Sequence, residues 1–262
     1  MNKREQGKQY RVLVLRALAR VGYATTRQLA KMVWWRCDES TRKMCGRTLR
    51  WLLKERLIVT KRDGDSVNGE QFAAVTTAGA AWLAINGDPL PYGKAHARDW
   101  LRHAHSHRTA CNAVYAASCG LFPDTVAWSE LEIRAGLAPI QQLTYSLDGT
   151  ALGKIPDVLL ELADERLAWV EVENSWRSDK DLAKVVASMR AMTTDRRIAR
   201  VHFVITAPGA KTIGTRLRKA LTHGLGSAWP RQVKELDARI VAQYVKVFLL
   251  NSETMELLPV AF

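Results

Sequence analysis

Residues 155–174 read IPDVLLELADERLAWVEVEN, and the way this stretch pairs with itself decides the architecture of the downstream half of the chain. Two apolar runs flank the polar ADER at 163–166, the pattern of two strands joined by a turn. In the second strand alternate side chains share a face, so Glu171 and Glu173 lie on the side of Trp169. A register that sets Asp157 opposite Glu171 brings three carboxylates together. Buried like charges repel, so such a cluster calls for a cation. Mg2+, a hard ion that takes a few carboxylates together with water and phosphate oxygens, suits it, with Mn2+ as the alternative.

The flanks supply the rest of a domain. A helix is predicted over 97–118, a strand over 125–134, the hairpin, a helix over 178–192 and a strand over 201–206. Glu130 on the first strand adds a further candidate acid, with a solvent-facing role equally open. Beyond it, 211–221 reads as a basic amphipathic helix and 242–250 as a last apolar strand. The segment APGAKT at 207–212 lacks the glycine that a phosphate-binding loop places before its lysine, so that reading is dismissed. The helix over 97–118 carries His103, His105 and His107, of which His103 and His107 share a face at i, i+4, with no third metal ligand evident.

Charge distinguishes the front of the chain. Residues 1–90 hold 17 basic and 8 acidic side chains and residues 91–262 hold 22 and 18, so the front third carries +9 of the net +13. A surplus so concentrated points to a polyanion. Val12, Leu15, Leu18 and Ala19 recur at helical spacing over 5–21, which ends near Gly22, and Thr25 or Thr26 caps a short helix over 27–33. A third helix over 40–56 carries Met44, Thr48, Leu49, Leu52 and Leu53 as an apolar stripe, while Lys43, Arg47, Arg50 and Lys54 gather four cations on one face. Strands near 57–59 and 72–75 enclose DGDSVNG at 63–69 as a hairpin, with Lys61 and Arg62 on its basic shoulder. Thr76-Thr77 then caps a helix containing Gly79 and Trp82-Leu83.

GDPLPYG at 87–93 reads as a break, dividing the chain into 1–86, a linker over 87–96, and 97–262. The charged start MNKREQGKQYR is no secretion signal, and no run approaches the roughly 18 apolar residues of a membrane span, so the expectation is a soluble cytoplasmic protein. Cys37, Cys45, Cys111 and Cys119 lack zinc or redox spacing and read as free thiols.

Three helices, a hairpin and a capping helix over residues 5–85 resemble the winged-helix DNA-binding family. In it the third helix enters the major groove and the wing touches the backbone. The resemblance implies that Lys43, Arg47, Arg50, Lys54, Lys61 and Arg62 face double-stranded DNA. Pro156-Asp157 followed by Glu171-Val172-Glu173 resembles the PD-(D/E)XK restriction-endonuclease-like superfamily, and implies Asp157 and Glu171 as metal ligands. Glu173 stands where that family carries its lysine. Some members place the lysine on the following helix, which makes Lys184, and after it Lys180, the candidate. The implied catalytic set is Asp157, Glu171, Glu173 and Lys184. The expected class is therefore α+β, an N-terminal winged helix-turn-helix followed by a restriction-endonuclease-like αβββαβ domain.

Together the two halves resemble the replication-relaxation family of plasmids and integrative elements, which includes MobC-type relaxases. That resemblance implies metal-dependent nicking at a specific site on mobile-element DNA, with other transfer or replication proteins and a second copy of the chain as further candidate partners. Two alternatives stay open. One is a non-enzymatic winged-helix regulator with a degenerate nuclease-like domain. The other is a tyrosine-linked nuclease built on His103 and His105, whose His-Ala-His is similar to a motif of rolling-circle nucleases, with Tyr115 nearby.

Overall fold

Asn2 accepts the N–H groups of Arg4 and Glu5 while the Glu5 carboxylate takes the Asn2 N–H, a capping box that starts α1 (Lys3–Val21). The computed structural model describes residues 2–62, 70–90, 94–121, 126–206, 210–223 and 236–261. The hairpin tip at 63–69, part of the expected linker at 91–93, the start of the strand expected from 125 and the first half of APGAKT, 207–209, lie outside the described residues. The protein is of mixed α+β class and divides into two compact units, Met1–Pro123 with Ser252–Glu256, and Asp124–Asn251 with Leu257–Phe262.

In the first unit α1 stops at Gly22, whose φ of 81° is easy only without a Cβ. β1 (Ala24–Thr25) follows, and Thr25 with Gln28 forms a second capping box opening α2 (Thr26–Trp34). Asp38 caps α3 (Glu39–Lys54). β2 (Ile58–Arg62) and β3 (Gln71–Val75) pair antiparallel, and β1 joins the other edge of β3 in the order β1-β3-β2. Thr76 caps α4 (Thr77–Ile85), its hydroxyl accepting from Gly79 N–H and donating to Arg56 O. Val14, Leu15, Leu18, Leu29, Cys45 and Leu52 are fully buried between the helices.

The single helix expected over 97–118 is two. α5 (Ala97–Arg102) ends at His103, and α6 (Ser106–Leu121) starts after His105, whose ring nitrogen accepts the Arg108 N–H. The break removes the shared face on which His103 and His107 were expected. α6 belongs to the first unit and is bonded to it in both directions: its Asn112 side chain donates to Tyr23 O at 2.8 Å, and the Gln28 side chain of α2 donates to Thr109 O of α6 at 3.0 Å. The division therefore falls beyond α6, downstream of the Pro/Gly stretch. Tyr115 is buried under the Arg20 guanidinium, away from any role as an accessible nucleophile.

In the second unit the strand expected to reach Arg134 is only β4 (Ala127–Ser129). Ser129 and Glu132 form a capping box that turns the chain into α7 (Glu130–Arg134), where Glu130 pairs with Arg134 at 2.7 Å. β5 (Leu143–Leu147) and β6 (Thr150–Lys154) form a separate hairpin. Its two-residue turn, Asp148-Gly149, has both φ values positive, the type that matches strand twist. β7 (Val158–Glu161), β8 (Leu167–Glu173), α8 (Asp179–Thr194), β9 (Ile198–Ile205), α9 (Ala210–His223), α10 (Ala238–Tyr244), β10 (Val245–Asn251) and β11 (Glu256–Val260) complete the chain. The last segment expected as one strand from 242 begins with a turn of α10.

The main sheet runs β11-β10-β9-β8-β7-β4. β4, β7 and β8 are successively antiparallel, and α8 and α9 carry the chain to β9 and β10, each parallel to the strand before. Every residue of β8 is buried, as expected of a central strand covered on both faces. Trp169, Leu182, Val186, Met189 and Phe203 lie in one apolar cluster of this unit, which leaves Glu171 and Glu173 as acids in an otherwise dry strand.

Candidate functional site

β7 and β8 pair Val158 with Val170, and Asp157 N–H extends the ladder to Val170 O. The paired register ends at Val158 and Val170, and Asp157 stands just outside it, beside β8 rather than paired with Glu171. The Asp157 carboxylate accepts the Val172 N–H at 2.7 Å. Glu171 is 2 % exposed and both its oxygens are engaged: Oε1 accepts from Trp169 Nε1 at 2.5 Å, and Oε2 meets Lys154 Nζ at 2.7 Å. Burial raises the Glu171 pKa against the pull of Lys154, and Asp157 adds to the rise. For Lys154 burial works toward the neutral amine, but the Glu171 carboxylate outweighs it and holds the ammonium charged.

Glu173, one side-chain period further along, is also buried. Its Oε2 accepts from Arg177 Nε at 2.6 Å, while Oε1 has no hydrogen-bond partner among the described residues. Burial raises its pKa and Arg177 opposes the rise. Arg177 lies in the connection from β8 to α8, and its carbonyl accepts from Arg216 of α9 at 2.5 Å. Arg216 also pairs with Asp179 and stacks over Trp176, 4.2 Å from the ring centroid.

Lys184 does not join this group: its amine pairs with Asp181 at 3.0 Å on the outer side of α8. The lysine beside the carboxylates is Lys154, at the end of β6. Its signal in the sequence is the β5–β6 hairpin, in which Leu143, Tyr145 and Leu147 alternate up to an Asp-Gly turn. Glu130 sits on α7 rather than on a strand.

In the first unit Lys43, Arg47, Arg50 and Lys54 are all exposed on α3. Glu39, Arg42, Lys43, Gly46, Arg47 and Arg50 line a shallow concavity, in which Lys43 pairs with Glu39 at 2.6 Å. The apolar stripe is narrower than expected. Thr41, Cys45 and Leu52 are buried, while Leu53 is 45 % exposed. Arg62 is exposed at the end of β2, but Lys61 turns its amine to Leu101 O at 2.9 Å, which ties the hairpin to α5.

Comparison of the chain with protein-family models, with curated proteins and with solved structures finds no match. Among the described residues no helix is long and apolar enough to cross a membrane.

Proposed function

We propose that the chain is a DNA-binding protein whose second unit holds a metal-dependent DNA-nicking centre, as the resemblance to the replication-relaxation family implies. The observation that carries the reading is Asp157, just before β7 and bound to the β8 backbone at Val172 N–H, one residue from the buried Glu171, which has a lysine amine at 2.7 Å. Two features of topology support it. The order α1-β1-α2-α3-β2-β3, with β1 on the edge of the hairpin, agrees with the order expected of a winged helix-turn-helix. Three antiparallel strands, a crossover helix and a parallel strand follow the order expected of the βββαβ part of a restriction-endonuclease-like core, which supports the reading.

Carboxylate oxygens are the donors that Mg2+ or Mn2+ takes, so Asp157 and Glu171 are the residues that would hold such an ion, with Trp169 and Lys154 already engaging the Glu171 oxygens. Bound there, the metal supplies Lewis acidity toward a phosphate oxygen and an acidified water. The chain's own groups do the rest. Lys154, kept charged beside Glu171, places a cation where phosphate charge would gather, and fills the role left vacant by Glu173. The exposed cations of α3 hold duplex backbone, and Arg47 or Arg50 reaches base edges, guanine being the usual partner.

A second reading rests on a specific observation. Glu171 and Glu173 are each already neutralised, by Lys154 and Arg177 respectively, which suits a regulator that binds an operator and cuts nothing. Conversion of supercoiled plasmid to open circles in Mg2+ separates the two. The nuclease reading expects nicking that chelation and Asp157→Ala both abolish; equal behaviour of wild type and Asp157→Ala leaves the regulator.

A further inference from the structure

KREQGKQYR at 3–11 in α1 and RKMCGRTLR at 42–50 in α3 carry one pattern: cations four and three residues before a glycine, one just after it and one four residues beyond. No other glycine of the chain's 16 is framed in this way. On a helix the positions i−4, i−3 and i+4 adjoin the central residue. Lys3, Arg4, Lys8 and Arg11 therefore surround Gly7 as Arg42, Lys43, Arg47 and Arg50 surround Gly46. Each glycine leaves a patch of uncovered backbone inside a ring of four positive side chains.

The interior of the first unit gives no reason for either glycine. A Cβ on Gly7 would have only the Arg11 guanidinium near it, at 3.7 Å, and one on Gly46 only that of Arg50, at 3.9 Å, whereas at Gly79 the Leu57 carbonyl leaves no room. Neither Gly7 nor Gly46 has a positive φ. A glycine inside a helix weakens it relative to alanine, and close approach of another molecule to the backbone is what makes the missing side chain useful. The charges are available as well. Of the eight cations only Lys43 pairs with a carboxylate among the described residues, 2.6 Å from Glu39. On α3 the ring walls an open concavity of about 550 Å³. The two rings adjoin, because the Arg11 guanidinium stacks on the ring of Trp51, 3.7 Å from its centroid, and Trp51 follows Arg50 in α3. Stacking holds the guanidinium by its face and leaves its N–H edges free.

Uncovered backbone among guanidinium and ammonium groups suits a phosphate, whose oxygens accept from several donors at once. We propose that Gly7 and its four cations seat a backbone phosphate of the duplex that α3 binds. α1 is then a second DNA contact, one that fixes the orientation of the first unit on the duplex without reading its sequence. The proposal rests on the DNA-binding reading above and extends its footprint from α3 to α1.

The test is equilibrium binding of the full chain to fluorescent duplexes of two unrelated sequences, by anisotropy over a range of salt in EDTA so that no cleavage intervenes. Arg4→Ala/Lys8→Ala is expected to weaken binding on the order of tenfold on both sequences and to lower the slope of log affinity against log salt by about 1–2. Gly7→Leu keeps every charge and favours the helix, so it should lose several-fold in affinity while melting no lower than wild type. An unchanged slope in Arg4→Ala/Lys8→Ala, or wild-type affinity in Gly7→Leu, overturns the proposal. Arg47→Ala/Arg50→Ala separates it from the reading beneath it: lost binding there with none lost in the α1 variants strikes out α1 alone, and a wild type that binds no duplex strikes out both. Retention on phosphatidylserine vesicles that Arg4→Ala/Lys8→Ala abolishes, with duplex affinity unchanged, makes the partner a lipid surface and also overturns it.

Discussion

Removing the Lys154 amine while leaving Glu171 in place gives a calculable penalty. In Lys154→Met the Glu171 carboxylate, 2 % exposed, keeps its bond from Trp169 Nε1 and loses its counter-charge. Breaking a buried pair in this way typically costs about 3–5 kcal/mol. The carboxylate has an escape, because it can take up a proton. From its ordinary pKa of 4.5 to pH 7, protonation costs about 3 kcal/mol at roughly 1.4 kcal/mol per pH unit, and this caps the penalty. The same reasoning fixes the sign of the pH dependence. A carboxyl whose folded pKa is raised favours the folded state below its unfolded pKa, and that advantage is lost as pH rises through the folded value. The deficit of Lys154→Met against wild type is therefore at most about 3 kcal/mol at pH 7 and under about 1 kcal/mol at pH 5. Lys154→Met/Glu171→Gln, which keeps an acceptor for Trp169 and removes the charge, recovers about 2 kcal/mol at pH 7. Urea unfolding at the two pH values measures all three. A pH-independent deficit, or a double variant no more stable than the single one, would refute the picture of Glu171 as a dry acid held by Lys154.

Other consequences are simpler to state. A methyl on Gly79 would fall inside the contact radius of the Leu57 carbonyl oxygen, which also accepts Thr76 N–H, so Gly79→Ala should destabilise the first unit by about 1–3 kcal/mol despite a gain of about 1 kcal/mol in helix propensity. Chemical denaturation decides; a more stable Gly79→Ala contradicts the close approach. Burial, assisted by Arg200 and Lys246, lowers the His202 pKa from 6.5 to about 4, so its contribution is present above pH 6.5 and is lost as pH falls toward 4. Wild type should lose about 3 kcal/mol more than His202→Phe between pH 7 and pH 4, read from paired unfolding curves. On duplex DNA, Arg47→Ala/Arg50→Ala should weaken binding and reduce the slope of log affinity against log salt by about 1–2, whereas Lys61→Ala, whose amine is engaged with Leu101 O, should leave the slope unchanged.

Much of this was legible because single strands and caps announce themselves. The polar ADER between apolar runs marked the β7–β8 hairpin, and period-two alternation put Glu171 and Glu173 on the Trp169 face before any register was known. Helices α1 to α4 and the β2–β3 hairpin were readable from apolar spacing, Gly22, Thr25 and Thr76. What was not legible depended on competition between local and distant contacts. Ser129 and Glu132 close a cap that ends β4 early, so Glu130 leaves the sheet. His103 to His105 break a helix whose flanking residues all look helical, and α6 then spends Asn112 on the backbone of the first unit. Lys154 reaches Glu171 from a hairpin that is not part of the main sheet, and such a contact between separate sheets leaves no periodic trace in the sequence.

The central claim, that Asp157 and Glu171 form a hydrolytic centre served by a DNA-binding module, is tested most directly by the single-turnover nicking rate of supercoiled plasmid in Mg2+ at saturating protein, wild type beside Asp157→Ala. The account predicts a rate reduced at least a hundredfold, on the order expected for loss of a metal ligand, with DNA affinity retained within about twofold. Equal rates in the two proteins, or none in either at full DNA occupancy, would contradict it.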